Sequence, residues 1–315
     1  EIFSCENRRF EIERFGRGWI MSVLHGLKWK VNKMLEKPLG RHIYRRVSRA
    51  KNFPVIQDDG AKEKIIVSLT SFPPRFSTLP LCLKSILLQS RRPDKVIVWF
   101  GNDVEEDTLT ADMREMEKYG VEYRFDEQLN LKPHKKYFYA MQEYKDSVVI
   151  TIDDDVIYPR KMIEKLLRKH RKYPEAVCAG RVHKITYTAE KKIASYTQWQ
   201  HMDDLVKGPS YELVAIGIGG VLYPPHCLDE RAFRADDILA YCLDADDMWL
   251  KCASYVKGTK VVGVPNASRF LYTMEEAQKV ALCDTNVNEN RNDIFLKSAM
   301  EYFGIKDGDF LIDEG

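Results

Sequence analysis

Residues 147–159 read Ser-Val-Val-Ile-Thr-Ile-Asp-Asp-Asp-Val-Ile-Tyr-Pro, and no other stretch of the chain limits its fold so strongly. The run from Val148 to Ile152 is β-branched throughout, which suits a buried strand. Three carboxylates, Asp153, Asp154 and Asp155, follow at its end. Acids this close repel one another and call for a counter-charge, most simply a divalent cation, or for a set of hydrogen-bond donors. Ligands of open α/β sheets bind at the carboxyl ends of the strands, so the strand, the acids and the expected crevice coincide. Read from the residues alone, the other possibility is an acidic turn facing solvent.

The preceding residues set the architecture. Strands are expected at Ile65 to Leu69, Lys95 to Phe100, Val121 to Phe125 and Val148 to Ile152. Helices are expected from Leu79 to Gln89-Ser90, from Thr108 to Tyr119 and from Lys135 to Tyr144. Strand and helix alternating in this way imply an α/β fold with a mainly parallel sheet and helices on both faces. Asp58-Asp59-Gly60 reads as a linker. It divides a basic helical extension, residues 1–60, from a domain at 61–315 whose two halves meet near residues 156 and 157.

The composition, 44% hydrophobic and 30% charged, is that of a soluble globular protein. No run approaches the roughly 18 apolar residues of a membrane span, and no leader with a cleavage site is visible. The chain opens on Glu1 rather than Met, which fits a missing N-terminus. Seven scattered cysteines without a Cys-x-x-Cys pair argue against a disulfide framework or zinc site and for a reducing, cytosolic compartment.

The net charge of +2 hides a strongly basic segment between Arg14 and Lys51, where Glu36 is the single acid. Within it, Trp19, Ile20, Val23, Leu24, Leu27, Val31 and Met34 recur at helical spacing from Gly18 to Leu35, and Pro38-Leu39-Gly40 reads as a stop. A basic amphipathic helix of this kind can lie on an anionic membrane or pack on the main domain. No nucleic-acid module accompanies the charge, so nucleic acid is not an expected partner.

The alternation fades beyond residue 160. A helix is expected over Met162 to Lys172, a strand over Ala176 to Ile185, and an irregular aromatic stretch from Thr186 to Pro209. In that stretch Trp199 and Tyr196 could stack on a sugar ring or pack in the core. The run Leu213 to Pro225 contains Gly217, Gly219 and Gly220, which either admit a ligand close to the backbone or pack beneath a helix. Asp244-Ala245-Asp246-Asp247 is a second acid cluster before a helix; one of its acids could be the N-cap, although capping needs only one. His134, beside the lysines, reads as a solvated surface residue, and the chain ends on a helix expected over Asp293 to Phe303.

Taken together, residues 64 to 255 resemble the GT-A glycosyltransferases, in particular the family-2-like bacterial sugar transferases. The resemblance is carried by Thr70-Ser71 and Arg75 after the first strand, Gln89 before the Lys-Val-Ile-Val strand, the basic helix start at Lys132 to Lys136, the triplet Asp153-Asp154-Asp155, and a Gly-rich segment followed by Asp246-Asp247. It implies a GT-A, Rossmann-like sheet and a metal-dependent transfer of a sugar from a nucleoside diphosphate donor, expected to be UDP-linked. The acceptor would be a hydroxyl of a surface glycan or lipid-linked precursor at the inner membrane face. Thr70, Ser71 and Arg75 would line the nucleotide site, and Lys132, Lys135 or Lys136 would approach the base or diphosphate. Asp153 or Asp154 would hold the ribose, and Asp155, with Asp153 as the second candidate, would bind Mn2+ or Mg2+. Asp247 or Asp246 would be the base of an inverting displacement, with Gly219, Gly220 and Trp199 lining the acceptor pocket. Many relatives supply a further metal-binding histidine after the catalytic acid, but the last histidine here is His226. Two other readings are set against this one. A sugar-nucleotide nucleotidyltransferase would carry a Gly-rich basic loop where Ser71-Phe72-Pro73-Pro74-Arg75 stands, and a non-catalytic membrane adaptor could use the same scaffold.

Overall fold

The computed structural model describes residues 38–57, 60, 63–202, 208–274 and 290–311. The amphipathic stretch from Gly18 to Leu35 lies outside them. The described part begins with a helix over residues 38–49, α1, so Pro38-Leu39-Gly40 is itself helical, while the helix it was expected to end lies outside the described residues. Gly40 is where α1 crosses Tyr272: a Cβ there would meet that ring at 3.1 Å. Val47 and Phe53 belong to the same buried cluster as the sheet, so packing starts ahead of the supposed linker.

Four strands and three helices then alternate: β1 (Ile65–Thr70), α2 (Leu79–Leu87), β2 (Lys95–Phe100), α3 (Ala111–Glu117), β3 (Val121–Phe125), α4 (Lys135–Glu143) and β4 (Val148–Thr151). Helix α3 starts later than its periodicity suggested because the Thr110 side chain accepts from Met113 N–H and caps it there. β1 pairs in parallel with β2 on one side and β4 on the other, and β2 pairs in parallel with β3. Val67, Leu69, Val96, Val98, Val148 and Ile150 are buried in one cluster, each contributing about 1.5–3 kcal/mol relative to an exposed side chain.

The second half completes the same sheet differently. After β5 (Val156–Ile157) and α5 (Met162–Lys172) come β6 (Val177–Ala179), β7 (Val182–Lys184), β8 (Gln200–Met202), β9 (Leu213–Ala215) and β10 (Val221–Tyr223). They are followed by α6 (Ala235–Tyr241), α7 (Asp246–Val256), β11 (Val261–Gly263), β12 (Tyr272–Thr273) and α8 (Arg291–Phe303). The main sheet has seven strands in the order β11-β6-β10-β4-β1-β2-β3, with β10 antiparallel between β6 and β4. The single strand expected over Ala176 to Ile185 is in fact two: the chain turns at Gly180, and β7 leaves for a three-stranded sheet with β8 and β9. The backbone explains the break. Gly180 N–H donates to Gly220 O at 2.9 Å, and a Cβ on Gly180 would lie 2.2 Å from Gly219 O.

The two halves therefore share one mixed α/β sheet. Among the described residues no helix is long and apolar enough to cross a membrane. Cys82, Cys178, Cys227, Cys242 and Cys252 are free and buried.

Candidate active site

Register places the first acid cluster. Ser68 pairs with Thr151 across β1 and β4, so three residues further on each chain reaches the same edge, at Ser71 and Asp154. Ser71 Oγ donates to Asp154 Oδ2 at 2.6 Å, and Arg75 Nη1 donates to Asp154 Oδ1 at 2.5 Å. Arg75 comes from the short 3-10 turn Pro73–Arg75, lies over the Phe72 ring, and reaches Asp155 Oδ2 with its other terminal nitrogen at 3.5 Å. Asp154 is thus an oriented, buried anion. Its carboxyl is nevertheless raised above the ordinary range, because burial outweighs Arg75 and Ser71. Burial, and next the adjacent Asp153, push Asp155 up to about 6 against the pull of Arg75. Thr70, expected beside the nucleotide, donates instead to Trp99 O at 2.8 Å and ties β1 to β2 at the crevice edge.

Asp153 takes a different partner. Its N–H donates to the buried Tyr158 hydroxyl at 2.9 Å, and its Oδ1 accepts from Lys136 Nζ at 2.9 Å. Lys136 is the second residue of α4 and its side chain is only 6% exposed. The same ammonium pairs with Asp246 Oδ2 at 2.9 Å, so the two acid clusters face each other across one lysine. Burial works against the charge on Lys136, but Asp153, Asp246 and Asp247 prevail and hold its pKa well above the usual lysine value.

The three lysines of this segment do not act together. Lys135 Nζ donates to Asn130 Oδ1 at 2.5 Å, and burial pulls it down to about 8. Lys132 sits at φ 49° and pairs with Asp244 at 2.7 Å, while Arg291 holds the other Asp244 oxygen at 2.9 Å. His134, expected in solvent, is fully buried. The turn Lys132–His134 carries its ring inward, where Nε2 lies 2.7 Å from Cys242 O, and burial lowers it to about 4.

Asp246 and Asp247 open α7. The residue at the N-cap is Ala245, without a side-chain cap, so neither acid caps the helix as the sequence allowed. Both lie in the first turn, where the helix dipole favours negative charge. Half-buried Asp247 accepts from Gly217 N–H with both oxygens at 3.2 Å. Burial first, then Asp246, push its carboxyl up to about 8, with Lys136 and the Gly217 N–H opposing. Gly217 reaches this point because it precedes β10, whose Val221 pairs with Thr151 and so enters beside the acid end of β4.

Gly217 is the glycine of the site. A Cβ there would meet Lys136 Nζ at 2.8 Å, Asp153 Oδ1 at 3.3 Å and Asp247 Oδ1 at 3.4 Å. Gly219 and Gly220, expected at the acceptor pocket, are instead packed beneath it. A Cβ on Gly219 would lie 2.3 Å from Arg181 N, and Gly220 adopts φ 76° against Met162. Trp199, expected to stack on sugar, is 3% exposed, donates to Ala194 O at 2.9 Å and packs on Tyr196 in the second core. The sequence signal for Gly217 was its place in the glycine run; Tyr158 and Asn130 carried no comparable mark.

The mainly parallel sheet, with the acid triplet at the end of β4, the Pro73–Arg75 turn beside it and a second acid pair facing it, has the architecture expected of a GT-A fold. Residues 72–215 match the family model described as Glycosyl transferase family 2. That match ends at Ala215, before Gly217 and the acids of α7. The chain is also similar to the mannosyltransferase PcManGT from Pyrobaculum calidifontis, solved with GDP-Man and Mn2+, at 13% identity and TM-score 0.47 over 88% of this chain and 81% of that one. To GalNAc-T7, solved with UDP, GalNAc and Mn2+, the identity is 13% and the TM-score 0.49, over 82% of this chain and 57% of that one. No curated protein matches it in sequence.

Proposed function

We propose that the protein moves a sugar from a nucleoside diphosphate donor, of the UDP type, to a hydroxyl of a surface glycan or its lipid-linked precursor. One observation carries this reading. Asp153, Asp154, Asp155, Asp246 and Asp247 gather where the end of β4 meets the start of α7; Arg75 pairs with Asp154 and Asp155, and Lys136 with Asp153 and Asp246. Burial first, then Asp153, push Asp155 up to about 6, and a hard divalent cation beside these carboxylates would offset their repulsion. Among the described residues no three His, Cys, Asp or Glu side chains are grouped as a full ligand set. Asp155 and Asp153 would therefore hold Mn2+ or Mg2+ with help from diphosphate oxygens and water. Bound there, the ion would neutralise charge growing on the leaving diphosphate.

The chain's own residues supply the rest. Ser71 and Arg75 fix Asp154, which is then oriented to accept from the ribose hydroxyls. Lys135 and Lys132 border the nucleotide side. The acceptor oxygen attacks the anomeric carbon as the bond from that carbon to the diphosphate oxygen breaks. The nucleoside diphosphate leaves with the electron pair, and the acceptor's proton passes to the Asp247 carboxylate. A carboxyl raised to about 8 is a better proton acceptor than an ordinary aspartate once ionised.

A panel of sugar nucleotides with Mn2+ tests the reading. Asp155→Ala is expected to abolish metal-dependent donor turnover, while Asp247→Ala retains donor binding and loses transfer. Unchanged transfer by both variants would refute the assignment.

The basic segment between Arg14 and Lys51 supports a cytoplasmic enzyme resting on the inner membrane face, with each surface-apposed basic residue worth about 1 kcal/mol. The full chain should then sediment with anionic vesicles at low salt and not with neutral ones; equal recovery with both would count against it.

A further inference from the structure

Lys136 was expected to approach phosphate, yet its ammonium is already committed. We propose that it is a positioning residue: it locks the first turn of α7 against the end of β4 and thereby sets the distance between the leaving-group side and the proton-accepting side of the crevice. The proposal rests on the glycosyltransferase reading above and assigns separate roles to the adjacent acids of α7.

Three contacts carry it. Lys136 Nζ lies 2.9 Å from Asp153 Oδ1, in the donor half, and 2.9 Å from Asp246 Oδ2, in the acceptor half. The ammonium donates a hydrogen bond to Asp153 and pairs by charge with Asp246, two carboxylates from separate elements. On a third side Gly217 closes in so tightly that a Cβ would sit 2.8 Å from the nitrogen. The lysine is therefore walled by an acid, an acid and a backbone, and its side chain is 6% exposed.

Asp246 is the first residue of α7 and Asp247 the second. Holding Asp246 fixes the rotation of that turn, and the rotation decides where Asp247 points. The structure shows the result: both Asp247 oxygens face Gly217 N–H at 3.2 Å, beside the lysine rather than on it. Asp246 is then the anchor that engages the lysine, and Asp247 is left to meet the acceptor hydroxyl. Gly217 is the hinge of the arrangement, since it borders Lys136 on one side and donates to Asp247 on the other.

The test compares Lys136→Met, Lys136→Arg and Asp246→Asn in the full chain. Binding is read with UDP plus Mn2+, and transfer with the donor found active. A strut predicts UDP affinity within about threefold of the parent and kcat lowered by 100-fold or more in Lys136→Met. Arg, which can still reach two carboxylates, should recover at least tenfold of that loss. Asp246→Asn should reproduce the Met phenotype, and the double variant should be no worse than either single change, as for residues acting as one unit. A phosphate ligand predicts the opposite split, with UDP affinity reduced tenfold or more, kcat little changed, and additive effects with Asp246→Asn; that outcome overturns the proposal. Where Lys136→Met fails to fold, Lys136→Arg and Asp246→Asn carry the same comparison. Failure of the glycosyltransferase reading would look different, since the parent itself would neither bind nucleoside diphosphate with Mn2+ nor turn over any sugar nucleotide.

Discussion

The two acid clusters facing each other across the crevice are compensated in different ways. Asp154 and Asp155 at the end of β4 are served from nearby, by Ser71 and Arg75 on the turn that follows the adjacent strand β1. Asp246 and Asp247 at the start of α7 depend on Lys136 from α4 and on the N–H of Gly217. One cluster is organised by strand register alone. The other exists only once both halves of the molecule have closed on each other. The pairing of Asp154 and Asp155 is thus a property of β1, β4 and the turn after β1, whereas that of Asp246 and Asp247 is a property of the whole fold.

The largest effect is expected where the local compensation is removed. Arg75 and Asp154 are both nearly buried, with side chains 11% and 4% exposed. Taking one partner from a buried ion pair leaves an uncompensated charge and costs about 3–5 kcal/mol. Arg75→Met should lower the unfolding free energy obtained from urea titration by that amount and abolish UDP binding with Mn2+. Adding Asp154→Asn should restore part of the stability without restoring binding. A loss below about 1 kcal/mol would mean that Asp154 is neutralised by groups other than Arg75 and Ser71, and the contrast between the clusters would fall.

The same contrast explains what the sequence disclosed. β1, β2 and β4 are largely apolar runs rich in β-branched residues and buried in a parallel array, so strand positions and the acid triplet were legible together. The second half was not. β10 contributes three residues, Val221–Tyr223, inserted antiparallel within a glycine-rich run, and nothing in the local pattern distinguishes it from a loop. The corner at Gly180 divided an apolar stretch that reads as one strand, because the partner enforcing the turn is Gly219, some forty residues later. Lys132, Lys135 and Lys136 lie within five positions, and composition treats them alike. The start of α4 sends one to Asp244, one to Asn130 and one to the acids. His134, among those lysines, read as exposed because the turn that buries it against Cys242 O is tertiary in origin. Trp199 failed in the same way, an aromatic residue in a polar loop that the second core claims.

A smaller effect distinguishes the glycines. At Gly217 an added methyl would meet the far end of Lys136 at 2.8 Å, a side chain that can shift only by loosening its ion pairs. At Gly219 it would meet Arg181 N at 2.3 Å, a backbone atom with nowhere to go. Gly217→Ala should therefore cost about 1–3 kcal/mol, the usual range for overpacking, and should reduce transfer more than it reduces UDP affinity. Gly219→Ala should cost more stability, and whatever folds should keep the parent's ratio of transfer to donor binding. Thermal unfolding alongside steady-state kinetics separates the two. If Gly217→Ala left kcat unchanged while lowering stability, Gly217 would be a packing glycine like Gly219, and the close fit around Lys136 would have no bearing on the chemistry.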